Sequence, residues 1–178
     1  MCDKLSLLAR LWSEFFRRST GGWSFLIDSV ILMHYDNAQE AAISWWEETV
    51  SGGGRMFISE VSLLERYRGI ARLPGPRKER LTEFDERIAI MRKEGKIHGI
   101  FCITASMVQK AHELLRIHCL QYTPPQDRRR MEALICDMLI AATALLKGLP
   151  VVTFNVRDFE WINGLQVIKP DYELEEMP

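Results

Sequence analysis

The chain has 178 residues, 47% of them hydrophobic and 26% charged, with a formal net charge of −1. That length suits one compact domain with a sizeable core, and the balance excludes a disordered or membrane-embedded chain. A net charge near zero supplies no overall basic field, so nucleic-acid contact has to come from a local cationic patch or from bound cations.

Leu5, Leu8, Trp12, Phe15 and Phe16 recur at helical spacing, interrupted by Asp3, Lys4, Arg10, Glu14, Arg17 and Arg18. The pattern predicts an amphipathic helix packed on the domain and leaves no signal-peptide core or membrane span there. Residues 1–22 are therefore read as an N-terminal helix and linker, 23–172 as the main domain and 173–178 as a tail. Cys2, Cys102, Cys119 and Cys136 form no CxxC pair and no dense framework, which predicts reduced thiols in a cytoplasmic protein.

Phe25-Leu26-Ile27 reads as a short buried strand that stops at Asp28. A helix is expected from about Asn37 to Val50, ended by Ser51-Gly52-Gly53-Gly54. These glycines lack the following Lys-Ser/Thr of a phosphate-cradling loop and are read as a linker. Met56-Phe57-Ile58 is a second strand, Ser59 stands where a helix N-cap belongs, and Glu60 suits the first turn. Glu65 lies deeper in the same helix and, at about 100° per residue, on a different face from Glu60.

Pro74-Gly75-Pro76 breaks the chain before a charged helix from about Arg77 to Glu94, and Gly99 to Ile103 reads as a third strand. Helices follow over Thr104 to Leu120 and from Thr123-Pro124-Pro125 through Asp137 to Lys147, the second stopping at Gly148-Leu149-Pro150. Val151-Val152-Thr153 and Leu165 to Ile168 complete the strands. This alternation predicts an α/β protein, a three-layer α/β/α sandwich around a mostly parallel central sheet. In such sheets ligand sites lie beyond the carboxyl ends of the strands, where Asp28, Asn155 and Asp158 fall.

Asp137 stands in the otherwise apolar stretch from Ala133 to Ala144, where a lone buried carboxylate needs a cation, either Arg, Lys or metal. Ala141 and Ala144 share its face and allow a close approach to the sheet. Asp28 abuts an apolar strand and makes the same demand; Glu65 makes it more weakly. Gathered carboxylates repel one another, and a hard divalent cation such as Mg²⁺ or Mn²⁺ relieves this. His34, His98, His112 and His118 show no zinc-type spacing and are read as surface or packing residues.

Asp28 with its strand, Ile58 to Gly69 with Glu65, Asp137 to Ala144, Val152 to Phe159 and the closing Gly164 to Pro170 together resemble the PIN-domain family, in particular the VapC-type toxins of toxin–antitoxin pairs. The resemblance runs from about Phe25 to Pro170 and implies the PIN-like form of the sandwich. It also implies that Asp28, Glu65 and Asp137 are metal-site and catalytic acids, with Asp158 the fourth. Asn155 is the rival for that fourth place, since it stands where the family often has Asp. Val30 is a second departure, at a position commonly polar. Ser29 and Thr153 are possible water or ligand positioners, or simple strand-end hydroxyls.

The implied reaction is Mg²⁺-dependent hydrolysis of RNA, with tRNA and rRNA as candidate substrates. Arg157, Arg66, Arg68 and the Arg128-Arg129-Arg130 run are the candidate RNA contacts; a solvated helix start is the favoured reading of the triple Arg, and Arg157 beside the acids is the stronger candidate. The implied partners are an antitoxin and a second copy of the chain. The antitoxin would be seated in a groove bordered by Ala38–Val50, including Trp45-Trp46, and Ser59–Gly69. Two other readings compete: a PIN-like module that binds RNA or protein without cutting, and an aspartyl-nucleophile phosphatase. The phosphatase wants a second Asp where Val30 stands.

Overall fold

The structure, a computed structural model, describes residues 23–173. The helix expected over Leu5–Phe16 and tail residues 174–178 lie outside the described residues.

Strand β1 (Ser24–Ile27) leads into helices α1 (Ser29–Asp36) and α2 (Glu40–Ser51), then β2 (Arg55–Ser59), α3 (Glu60–Arg72) and α4 (Arg77–Lys93). After them come β3 (Gly99–Phe101), α5 (Ala105–Gln121), α6 (Arg128–Lys147), β4 (Val151–Val152), α7 (Val156–Phe159) and β5 (Val167–Ile168). One five-stranded sheet runs in the order β3-β2-β1-β4-β5. Every pairing is parallel, so the expected "mostly parallel" sheet is wholly so among the described residues.

Alternation along the central strands sorts the core into two layers. Ile27, Ile58 and Val152 point into a cluster with Ile31, Leu32 and Trp46, whereas Leu26 and Val151 point into one with Met138, Ile140 and Phe159. The sheet is therefore covered on both faces, which is the sandwich expected from the alternation of elements.

Helix starts follow local chemistry. Ser59 Oγ accepts from the amides of Val61 at 3.0 Å and Ser62 at 3.3 Å, and Thr104 Oγ1 accepts from Met107 N at 3.3 Å. Such caps satisfy amides left without intrahelical acceptors. Gly148 ends α6 at φ +63°, a left-handed conformation that costs glycine little.

Two helices had no counterpart in the sequence reading. α1 carries a Val-Ile-Leu-Met run and buries Ile31, Leu32, His34 and Tyr35, so no amphipathic stripe marks it. α7 is a single turn. Trp46 is a correction: it is 0% exposed and its Nε1 donates to Lys96 O at 2.9 Å, so it belongs to the core and cannot border an open groove.

Candidate functional site

The strand order reverses between β1 and β4, because the chain leaves β1 towards β2 on one side and returns to pair β4 on the other. A crevice opens at the carboxyl ends of two strands whose connections diverge. Asp28 follows β1 there, and Thr153, Asn155 and Asp158 follow β4.

Asp28 is 2% exposed. It caps α1, Oδ1 accepting from Ser29 N at 2.6 Å, while Oδ2 accepts from Thr153 Oγ1 at 2.6 Å. Thr153 Oγ1 in turn accepts from Asn155 N at 2.9 Å, which orients the hydroxyl hydrogen towards the acid. Burial nevertheless raises the Asp28 pKa; the bonds from Thr153 and Ser29 offset it in part, and the charge of Asp158 adds to the rise.

Glu65 projects from α3 towards the same place. Its pKa is raised by burial first and then by Asp28, against the lowering influence of the Ser29 hydroxyl and Arg68. Its Oε2 is buried with no hydrogen-bond partner among the described residues, an unsatisfied acceptor that calls for a donor or a cation. Glu60, by contrast, turns away and accepts from Ile103 N at 3.1 Å through Oε2. The two glutamates thus diverge as helical geometry requires.

Asp137 comes from α6, whose Ala141 and Ala144 are fully buried and let the helix lie close to the sheet. Its pKa is pushed up to about 8 by burial, then by the charges of Asp28, Glu65 and Asp158. Asp158, exposed on α7, is raised by desolvation and lowered by His118. Asp137 therefore feels all three of the other predicted acids, and Asp28 is coupled to both Glu65 and Asp158. Among the described residues no salt bridge reaches any of them, although Asp137 called for a cation on sequence grounds. Nor do three His, Cys, Asp or Glu side chains there form a preformed ligand set.

The auxiliary residues separate. Thr153 is fully buried and its hydroxyl is committed to Asp28, so it positions a carboxylate and is not free to hold water. Ser29 stands between Asp28 and Glu65. Asn155 is exposed and lines a cleft of about 410 Å³ with Arg157, Asp158 and Lys169. Arg66 is a correction: it is 8% exposed, its Nε donates to Asp36 Oδ2 at 2.7 Å and its Nη2 to Asn37 Oδ1 at 2.9 Å. Its charge holds α3 to α1 and does not face a ligand. Arg68 pairs with Glu132, which Arg128 also holds.

His118, Tyr122, Trp161 and Lys169 border Asp158 but had no sequence signal, since they come from α5, from the residue that caps its end and from segments after β4. Cys136, next to Asp137, has its thiol pushed up to about 12 by burial and by Glu65 and Asp137.

Thr153→Val is expected to leave Asp28 Oδ2 without its donor inside the core, at a cost of about 1–3 kcal/mol. Urea unfolding measures this, and an unchanged midpoint would show that the hydroxyl does not hold the acid.

A family model for the PIN domain matches residues 25–164. Ribonuclease VapC1 of Rickettsia felis is 27% identical over 143 residues, covering 80% of this chain and 93% of that protein. Among solved structures, VapBC2 of Rickettsia felis bound to a promoter DNA fragment matches with TM-score 0.64 at 17% identity, over 83% of this chain and 99% of that one. DNA-bound VapBC of Salmonella typhimurium matches with TM-score 0.61 at 22% identity, over 83% of this chain and 98% of that one. At these identities the two structures speak for the fold.

Proposed function

The chain belongs to the PIN-domain family, and we propose that it is a divalent-metal-dependent endoribonuclease acting as the toxin of a toxin–antitoxin pair. The observation that carries the reading is a group of carboxylates from distant parts of the chain, Asp28, Glu65, Asp137 and Asp158, each with a pKa raised first by burial and none in a salt bridge among the described residues. The kinship with a ribonuclease supports the substrate.

The donors suit a hard cation: they are carboxylate oxygens, one of them the unpartnered Glu65 Oε2. Asp28, Glu65 and Asp137 would hold Mg²⁺ or Mn²⁺, with Asp158 at the open side, after side-chain rotations bring the oxygens together. A bound ion of this kind supplies an activated water and positive charge beside a phosphodiester. The protein's own groups do the rest. The Thr153 hydroxyl and the Ser29 amide keep the Asp28 carboxylate in one orientation. Arg157 and Lys169, in the cleft beside Asp158, attract and align the RNA backbone.

Purified protein incubated with total tRNA and rRNA in Mg²⁺, Mn²⁺ or EDTA is expected to cut at discrete sites with either metal and not in EDTA. RNA bound but uncut in every divalent metal would favour the non-catalytic module.

Leu64, 55% exposed on α3, and Leu73 at its end offer apolar contacts to an antitoxin helix, a groove without Trp46. A further similar structure, with TM-score 0.55 at 22% identity, is a toxin–antitoxin complex from Klebsiella pneumoniae, which supports such a partner. A homodimer is expected on the same family grounds, and the cytoplasm is where its RNA would be met. No helix among the described residues is long and apolar enough to cross a membrane.

A further inference from the structure

A second cleft, of about 340 Å³, adjoins α7 and is bordered by His118, Tyr122, Leu134, Arg157, Asp158 and Trp161. Arg157 and Asp158 line both clefts, so each borders one of the four acids. Three rings form the wall of the second. His118 lies 4.9 Å from Tyr122 and 5.3 Å from Trp161 between centroids, and Tyr122 lies 6.1 Å from Trp161. Trp161 Nε1 donates to Asp158 O at 2.9 Å, which ties this wall to the turn that carries the acid.

We propose that this aromatic cleft holds an unstacked nucleobase of the RNA whose backbone lies at the neighbouring acids, an inference that rests on the ribonuclease reading. Charge decides which part of a nucleotide goes where. The first cleft sets two cations, Arg157 and Lys169, against Asp158 and suits phosphate, whereas the second sets Arg157 against both Asp158 and Glu160 and leaves acid in excess beside its rings. A base is the neutral, flat part of the nucleotide and tolerates acidic neighbours. Tyr122 is 48% exposed, leaving a ring face open to stacking. His118 Nδ1, in the same wall, has no hydrogen-bond partner among the described residues and can reach a base edge when the ring turns. Single-stranded RNA is read in this manner, by splayed bases stacked on aromatic side chains.

The test is binding of a short single-stranded RNA to the full chain in EDTA, followed by fluorescence anisotropy. Trp161→Ala and Tyr122→Leu are each expected to weaken binding by roughly ten-fold or more, while Trp161→Phe retains it. Tyr122 is exposed, so its variant separates lost stacking from lost folding should Trp161→Ala disturb α7; melting curves check both. One abasic position in the RNA is expected to reproduce the loss in the unaltered protein and add nothing in Trp161→Ala. Unchanged binding in both aromatic variants overturns the proposal, as does an equal loss for double-stranded RNA, which offers no free base. RNA cutting without aromatic dependence overturns the stacking site alone. Aromatic-dependent binding without cutting in Mg²⁺ overturns the nuclease reading alone.

Discussion

Asp28→Asn is expected to leave the protein folded and to lower RNA cleavage by roughly 10²- to 10⁴-fold in kcat/KM, the loss of several kcal/mol of charge stabilisation at the reacting phosphate. Asparagine keeps the size of the side chain, and its amide oxygen can still accept from the Ser29 amide that caps α1. The charge is what disappears. Burial already raises the Asp28 pKa, so the folded state gains nothing from ionising this group, and stability is expected to hold or rise. Single-turnover cleavage in Mg²⁺, alongside circular dichroism and melting, separates the two effects. Cleavage within a few-fold of the unaltered protein would remove Asp28 from the reaction, whatever the fold does.

Most of the fold was legible because its signals are local. The Phe25-Leu26-Ile27 run, the Ser59 cap and the Gly148 stop each act within a few residues of themselves. α1 was not legible, because a helix buried on most of its surface shows no stripe. Strand order could not be read either. Nothing within β1 says that β4 lies beside it, yet that adjacency makes the crevice.

The acids were legible as costs. A carboxylate in the Ala133–Ala144 stretch is expensive wherever the helix packs, so Asp137 identified itself before its neighbours were known. Arg66 shows the limit of this logic. A cation next to Glu65 in sequence looked available to RNA, but a one-residue step turns the side chain by about 100°, and there it meets Asp36 on α1. Trp46 failed similarly, since its neighbour Trp45 stays only partly buried. His118 and Tyr122 stand together at the end of α5 but Trp161 comes from beyond β4, and none carries a buried charge, so no local penalty marked the three as a group.

Asp137→Asn is expected to stabilise the metal-free protein by about 2–4 kcal/mol near pH 8, raising Tm by roughly 5–15 °C. The sign follows from proton binding. The folded pKa of Asp137 is raised to about 8 from an ordinary 3.8, so the folded state binds the proton more tightly than the unfolded state does. Across that window the unfolded chain holds fewer protons, and stability falls as pH rises, levelling off above about pH 8. Below about pH 4 both forms are neutral and the variant loses its advantage. Relaxation of the charged site keeps the gain below the full 1.4 kcal/mol per pKa unit. Mg²⁺ would reverse the order by binding only the unaltered protein tightly, and it would displace the Asp137 proton as it does so. Melting curves across pH, in EDTA and in Mg²⁺, test both halves. A Tm in EDTA that is equal or lower for Asp137→Asn near pH 8 would mean that this carboxylate is not held under strain. A Mg²⁺ shift of the same size in the two proteins would place the ion elsewhere.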